Sequence, residues 1–248
     1  MLATQLQVEL AVVILASVFV IGKWFHISNE SRSRRWITAS AGASVAYIWL
    51  HMLPELSEAQ RTFTRITQGA RLPMPEFRIY MSGLLGFVVF FGLEHMTWSS
   101  RAKSRGRGGE ARTSHFVYRL NLAGFLAYGA SVSYLMVRDG AEYGALSLLL
   151  YLIAMGLHFV VVDHSLREQH GDAYDRRGRW LLALVVLLGG FSAKVTVLPE
   201  QTVLTLLGLV AGGVISNNTL MELSQEKEGS FFHFFAGAMG YALLLALI

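Results

Sequence analysis

The chain has no cysteine, only four prolines, and charged side chains at just 15% of its residues. Without cysteine there is no disulfide framework, no thiolate metal ligand and no cysteine nucleophile. Soluble domains carry about 25% charged residues, so this chain is too poor in charge for an ordinary soluble domain. Three of its prolines, Pro73, Pro75 and Pro199, fall between or at the edges of apolar runs, where a missing backbone donor costs little. Only Pro54 interrupts a run from within, in "WLHMLPELSE" at 49–58. The stretch "MLATQLQVE" has no positively charged leader region and no small-residue cleavage site follows it, so the first apolar run reads as a retained span.

What is abundant is apolar sequence: hydrophobic residues make up 53% of the 248. A bilayer-crossing helix needs roughly 20 mostly apolar residues. Eight stretches meet that need, at about 5–25, 36–56, 76–98, 117–137, 142–165, 179–198, 201–222 and 231–248. The expected fold is an all-α bundle of eight transmembrane helices forming a single domain over 1–248, with a basic loop at 99–116. "LLALVVLLGGF" and "VLTLLGLVAGGVI" carry no charge, while "YGASVSY" dilutes the fourth span. Glycines inside spans permit close helix–helix approach in lipid.

Basic residues concentrate in the loops after spans one, three, five and seven. All but six of the 21 lysines and arginines lie there, the six being Arg61, Arg65, Arg71, Arg78, Arg138 and Lys194. The positive-inside rule makes that side cytoplasmic and puts both termini outside. Topology alone then accounts for the pI near 9.5, and no nucleic-acid partner is expected. The expected location is an integral position in a bacterial inner membrane.

Ionisable residues inside a span cost roughly 2.5–3.5 kcal/mol on insertion scales and face a bundle interior or a water-filled cavity. His51 and Glu55, spaced i, i+4, share one face of span two. Pro54 removes a donor and crowds the Leu50 carbonyl, which kinks the helix and frees that oxygen as a third metal ligand. The alternative is that span two ends here, with Glu55 at headgroup level. Toward the cytoplasmic side, span three brings Glu94 and His95. Span five brings His158, Asp163 and His164, and span seven brings Asn217, Asn218 and Glu222. Neighbours in sequence diverge by about 100° on a helix, so only part of this set can line a path. Candidate metal ligands are therefore His158, His51, Glu55, Asp163 and His164. Candidate lining residues are Glu94, His95, Asn121, Asn217, Asn218 and Glu222. His158, flanked by apolar residues and too deep to reach water, is the most informative; its alternative is a buried histidine bonded to a neighbouring carbonyl. Span four, with Asn121, Tyr128, Ser131, Ser133 and Tyr134, offers only neutral ligands.

With these residues placed, the chain resembles the ZIP (Zrt-, Irt-like) family of divalent-metal transporters. "HMLPEL" resembles the family's second-span ending, and "GLLGFVVFFGLEHM" its third span. The Arg-rich stretch 101–116 occupies the place of the variable intracellular loop. "GGVISNNTLMELSQEKE", with the last span, resembles spans seven and eight. The resemblance covers most of the chain and implies a carrier, not an enzyme, for zinc, iron or a similar ion. It departs at the centre. ZIP spans four and five carry His-x-x-Pro-Glu-type motifs, whereas span four here reads "YGASVSYL" and span five "HFVVVDH". His158 matches one motif position; His51, Glu55, Glu94, His95 and Glu222 match peripheral ones. A bound Zn2+ or other divalent ion, a small solute, membrane lipid and a second copy in a homodimer are the expected partners. A transport-inactive scaffold, sensor or partner subunit is the alternative. Haem is disfavoured because His51 and His158 differ in depth, and retinal because Lys194 lies near a span end. No hydrolytic motif appears.

Overall fold

The computed structural model describes residues 2–23, 30–68, 75–106, 113–140, 144–219 and 231–246. Among these residues every element is helical, with no strand. The helices are α1 (Leu2–Ile21), α2 (Glu30–Tyr47), α3 (Leu53–Ile66), α4 (Arg78–Gly106), α5 (His115–Asp139), α6 (Ala145–His170), α7 (Arg179–Val195), α8 (Glu200–Asn217) and α9 (Phe231–Leu245). A π-helical turn, Ile48–Met52, joins α2 to α3, and another, Tyr174–Gly178, leads into α7.

Four helical stretches are long and apolar enough to cross a membrane: Pro75–Gly106, His115–Asp139, Ala145–His170 and Tyr174–Val195. They correspond to expected spans three to six. The apolar parts of α1 and α9 are shorter, and α8 is diluted by Glu200, Gln201, Asn217 and its glycines.

The second expected span, 36–56, does not end or break at Pro54; helix continues to Ile66. Proline cannot donate to the carbonyl four residues back and its ring crowds that oxygen. The π turn absorbs the misfit by widening the backbone ring, so that the Leu53 N–H bonds the Ile48 carbonyl five residues back. π-bulges of this sort often occur at functional sites. The α3 extension is amphipathic and buries Leu56, Ala59, Gln60 and Phe63. Gln60 donates to the Pro75 carbonyl (2.8 Å) and accepts from the Ile79 N–H (2.8 Å), satisfying groups at the start of α4 that have no intrahelical partner. The third span also overruns its expected end at 98, since α4 carries Arg101, Lys103 and Arg105 to Gly106.

Helices pair through glycine. A Cβ at Gly212 of α8 would collide with the Gly83 carbonyl of α4, and one at Gly237 of α9 with the Ala39 carbonyl of α2. In both pairs backbone meets backbone, as small residues permit. The paired helices surround a centre formed by the α2–α3 junction, α5, α6 and α8. The N-termini of α4, α6 and α8 and the C-terminus of α5 lie at one end of the bundle, here called the Glu55 end. The opposite end is called the Arg167 end.

Candidate functional site

At the Glu55 end a cavity of about 30 Å³ opens between the four central helices. Tyr47, Met52 and Glu55 line it from the α2–α3 junction, Leu135, Met136 and Asp139 from α5, and Tyr151 and Met155 from α6; Leu207, Val210, Ala211 and Val214 of α8 close the last side. The π turn aims Met52 inward, where it is buried, while leaving Trp49 and Leu50 exposed. Glu55 and His51 lie 3.9 Å apart with side chains about one-third exposed, so the pair expected from i, i+4 spacing does form. The His51 ring stacks on Tyr47 at 5.4 Å between centroids. Tyr47 in turn meets Tyr151 and Tyr241 edge-on at 6.5 and 6.4 Å. Asp139 is paired to Arg138 (2.8 Å), which also binds Glu200, tying α5 to α8 beside the opening.

One turn past Met155 on α6 lies His158, 1% exposed. Its Nε2 shares a 3.1 Å hydrogen bond with the Tyr128 hydroxyl of α5. That phenol comes from the span that has no histidine or carboxylate at its centre. The Tyr128 ring packs edge-on against Phe90 and beside Gly213 of α8. A turn further along α8, the Ser216 Oγ and Asn217 Nδ2 are buried without a hydrogen-bond partner, as is the Ser44 Oγ of α2. Each such orphan costs about 1–3 kcal/mol.

At the Arg167 end ion pairs and amides join the helices, although the Asn121 Oδ1 and Gln169 Oε1 are buried without a hydrogen-bond partner. Asp163 accepts from Arg167 at 2.6 and 3.2 Å and from the Tyr174 hydroxyl at 2.6 Å. Arg167 reaches Asp175 as well (2.8 Å). Asp163 is therefore a clasp that fastens α6 to the π turn before α7, and the Asp163–Arg167 i, i+4 spacing is the sequence signal for it. Gly171, at φ 54°, makes the reversal between them. Arg179 donates to the Val20 carbonyl and so caps α1. Glu94 is covered by the Gln169 amide at 2.9 and 3.1 Å, with Ser165 beside it. The Asn121 amide nitrogen donates to Thr97 Oγ1 (3.0 Å) and His170 Nε2 (3.3 Å). The His170 Nδ1 lies 2.7 Å from the Thr113 hydroxyl.

Of the expected ligands, then, the structure joins His51 to Glu55 and sets His158 against Tyr128, while Asp163 sits in the clasp and His164 is partly buried next to it. Of the expected lining residues, Glu94 and Asn121 belong to these hydrogen-bonded networks, His95 is exposed and stacks on Phe91, and Asn217 and Asn218 are buried. Glu222 lies outside the described residues. Among the described residues no three carboxylate or imidazole groups gather to hold a metal. Gln60, Gln169, His170 and the cavity methionines were not singled out by sequence, since their partners are distant in the chain.

No protein-family model and no curated protein sequence matches the chain.

Proposed function

We propose that the chain is a membrane carrier for a metal cation or another small solute, with the cavity at the Glu55 end as the entrance. The observation that carries this reading is the cavity itself: carboxylates at its mouth, four helices around it and a buried histidine one turn beyond it. Negative charge at a mouth raises the local concentration of cations. The orphaned Ser44, Ser216 and Asn217 atoms beyond the cavity offer hydrogen bonds that a passing ion or water would fill. The ZIP resemblance makes a divalent ion such as zinc or iron the first cargo to test, and an eight-span topology with the Glu55 end outside the frame for it. Purified protein in liposomes loaded with a metal-sensing dye should take up zinc, iron, manganese or cadmium faster than empty vesicles. Uptake of none of the four above the rate of empty vesicles would overturn the divalent reading.

A second reading is a transport-inactive scaffold or partner subunit. The hydrogen-bonded networks at the Arg167 end and the absence, among the described residues, of a three-ligand acidic or histidine cluster favour it. It predicts stoichiometric co-purification with another membrane protein and no uptake.

A further inference from the structure

Zinc and iron sites are built from imidazole, carboxylate or thiolate ligands. The walls of the cavity hold sulfur besides the carboxylates of Glu55 and Asp139. Met52, Met136 and Met155 come from three separate helical elements and converge on it, each at most 4% exposed. With no cysteine in the chain, thioethers are its only sulfur ligands. Thioether sulfur is soft and polarizable, and among first-row ions it selects Cu(I).

Charge points the same way. An ion held by three buried thioethers sheds most of its water shell. The cost of dehydrating an ion rises with the square of its charge, so a monovalent ion pays far less than a divalent one. Glu55, 3.9 Å from His51, brings a carboxylate to this lining. Met52 is the last residue of the π turn at Ile48–Met52, just ahead of Leu53 and Pro54, which gives this irregular turn a role in placing a ligand.

We infer that the cavity between the α2–α3 junction, α5, α6 and α8 is a binding site for a soft monovalent cation, Cu+ or its redox-inert analogue Ag+, held by Met52, Met136 and Met155 with Glu55 at the mouth. The inference shares the cavity with the carrier reading but needs neither transport nor divalent cargo.

The test is calorimetric titration of the detergent-purified full chain with Ag+, followed by X-ray absorption of the Cu+-loaded protein. One equivalent should bind, with sulfur in the first coordination shell and no displacement by excess Zn2+. M52L, M136L and M155L should each weaken binding at least tenfold. M81L and M239L, which alter exposed methionines, should leave it unchanged. Each variant's melting temperature without metal shows that it has folded, Leu for Met being nearly volume-neutral. No stoichiometric site, a first shell of only nitrogen and oxygen, indifference to all three cavity substitutions, or displacement by Zn2+ would each overturn the inference. Ag+ bound as described, with no ion taken up by liposomes, upholds the site and counts against the carrier. Zinc uptake untouched by M136L and M155L, with no Ag+ site, upholds the carrier and overturns the inference.

Discussion

The two ends of the bundle handle charge in opposite ways. At the Glu55 end the ion pairs sit on the rim: Lys194 with Glu9, Arg138 with Asp139 and Glu200, and His51 with Glu55 are all partly exposed. They tie helices together around an opening and leave its middle to methionine and tyrosine. At the Arg167 end the pairs lie inside, with the Asp163 side chain 2% and that of Arg167 11% exposed, and side-chain amides reach Glu94 and His170. Rim pairs are screened and contribute little; a desolvated pair strongly penalises loss of either partner. Polar groups thus frame the cavity at one end and cross-link buried parts of helices at the other.

Arg167→Ala should have the largest effect. It strands Asp163 and Asp175 and should lower stability by about 3–5 kcal/mol, read as a fall in thermal unfolding temperature in detergent. A shift no larger than that of a rim variant such as Glu200→Gln would erase the distinction between the ends. Tyr174→Phe removes one short hydrogen bond to the Asp163 carboxylate and should cost about 1.5–3 kcal/mol. Gly171→Ala forces a side chain into a positive-φ conformation and should cost about 1 kcal/mol or more, with Gly144→Ala, where no neighbour obstructs a Cβ, as the mild control. At the other end, Glu55→Gln should change stability by less than about 0.5 kcal/mol, as most surface substitutions do. If it instead slows cation uptake while the melting temperature holds, the two ends differ in function as well as in packing.

Much of the fold could be read from the sequence because membrane-length apolar runs are one-dimensional objects. Length and composition mark the four long helices Pro75–Gly106, His115–Asp139, Ala145–His170 and Tyr174–Val195, and i, i+4 spacing brings His51 to Glu55. Reading stops where an interaction joins distant residues. Gln169 covers Glu94 from 75 positions away, and Tyr128 reaches His158 from 30; neither pairing leaves a local pattern. Asp163 was expected among metal ligands because a carboxylate in an apolar run is costly. That expectation weighed the charge alone, whereas the cost is met by Arg167 one turn later.

Pro54 divides the two kinds of knowledge. From sequence alone, a proline inside an apolar run must disturb the backbone, because it lacks a donor and crowds the preceding turn. Whether the chain breaks, kinks or widens there depends on what the continuing helix can bury. Here Leu56, Ala59, Gln60 and Phe63 gain burial beyond the proline, so the backbone widens into a π turn and the helix runs on. Composition likewise determined that the chain would be helical and apolar enough for a membrane. Only packing decided that Met52, Met136 and Met155 would face one cavity, because they lie on three separate helical elements far apart in the chain.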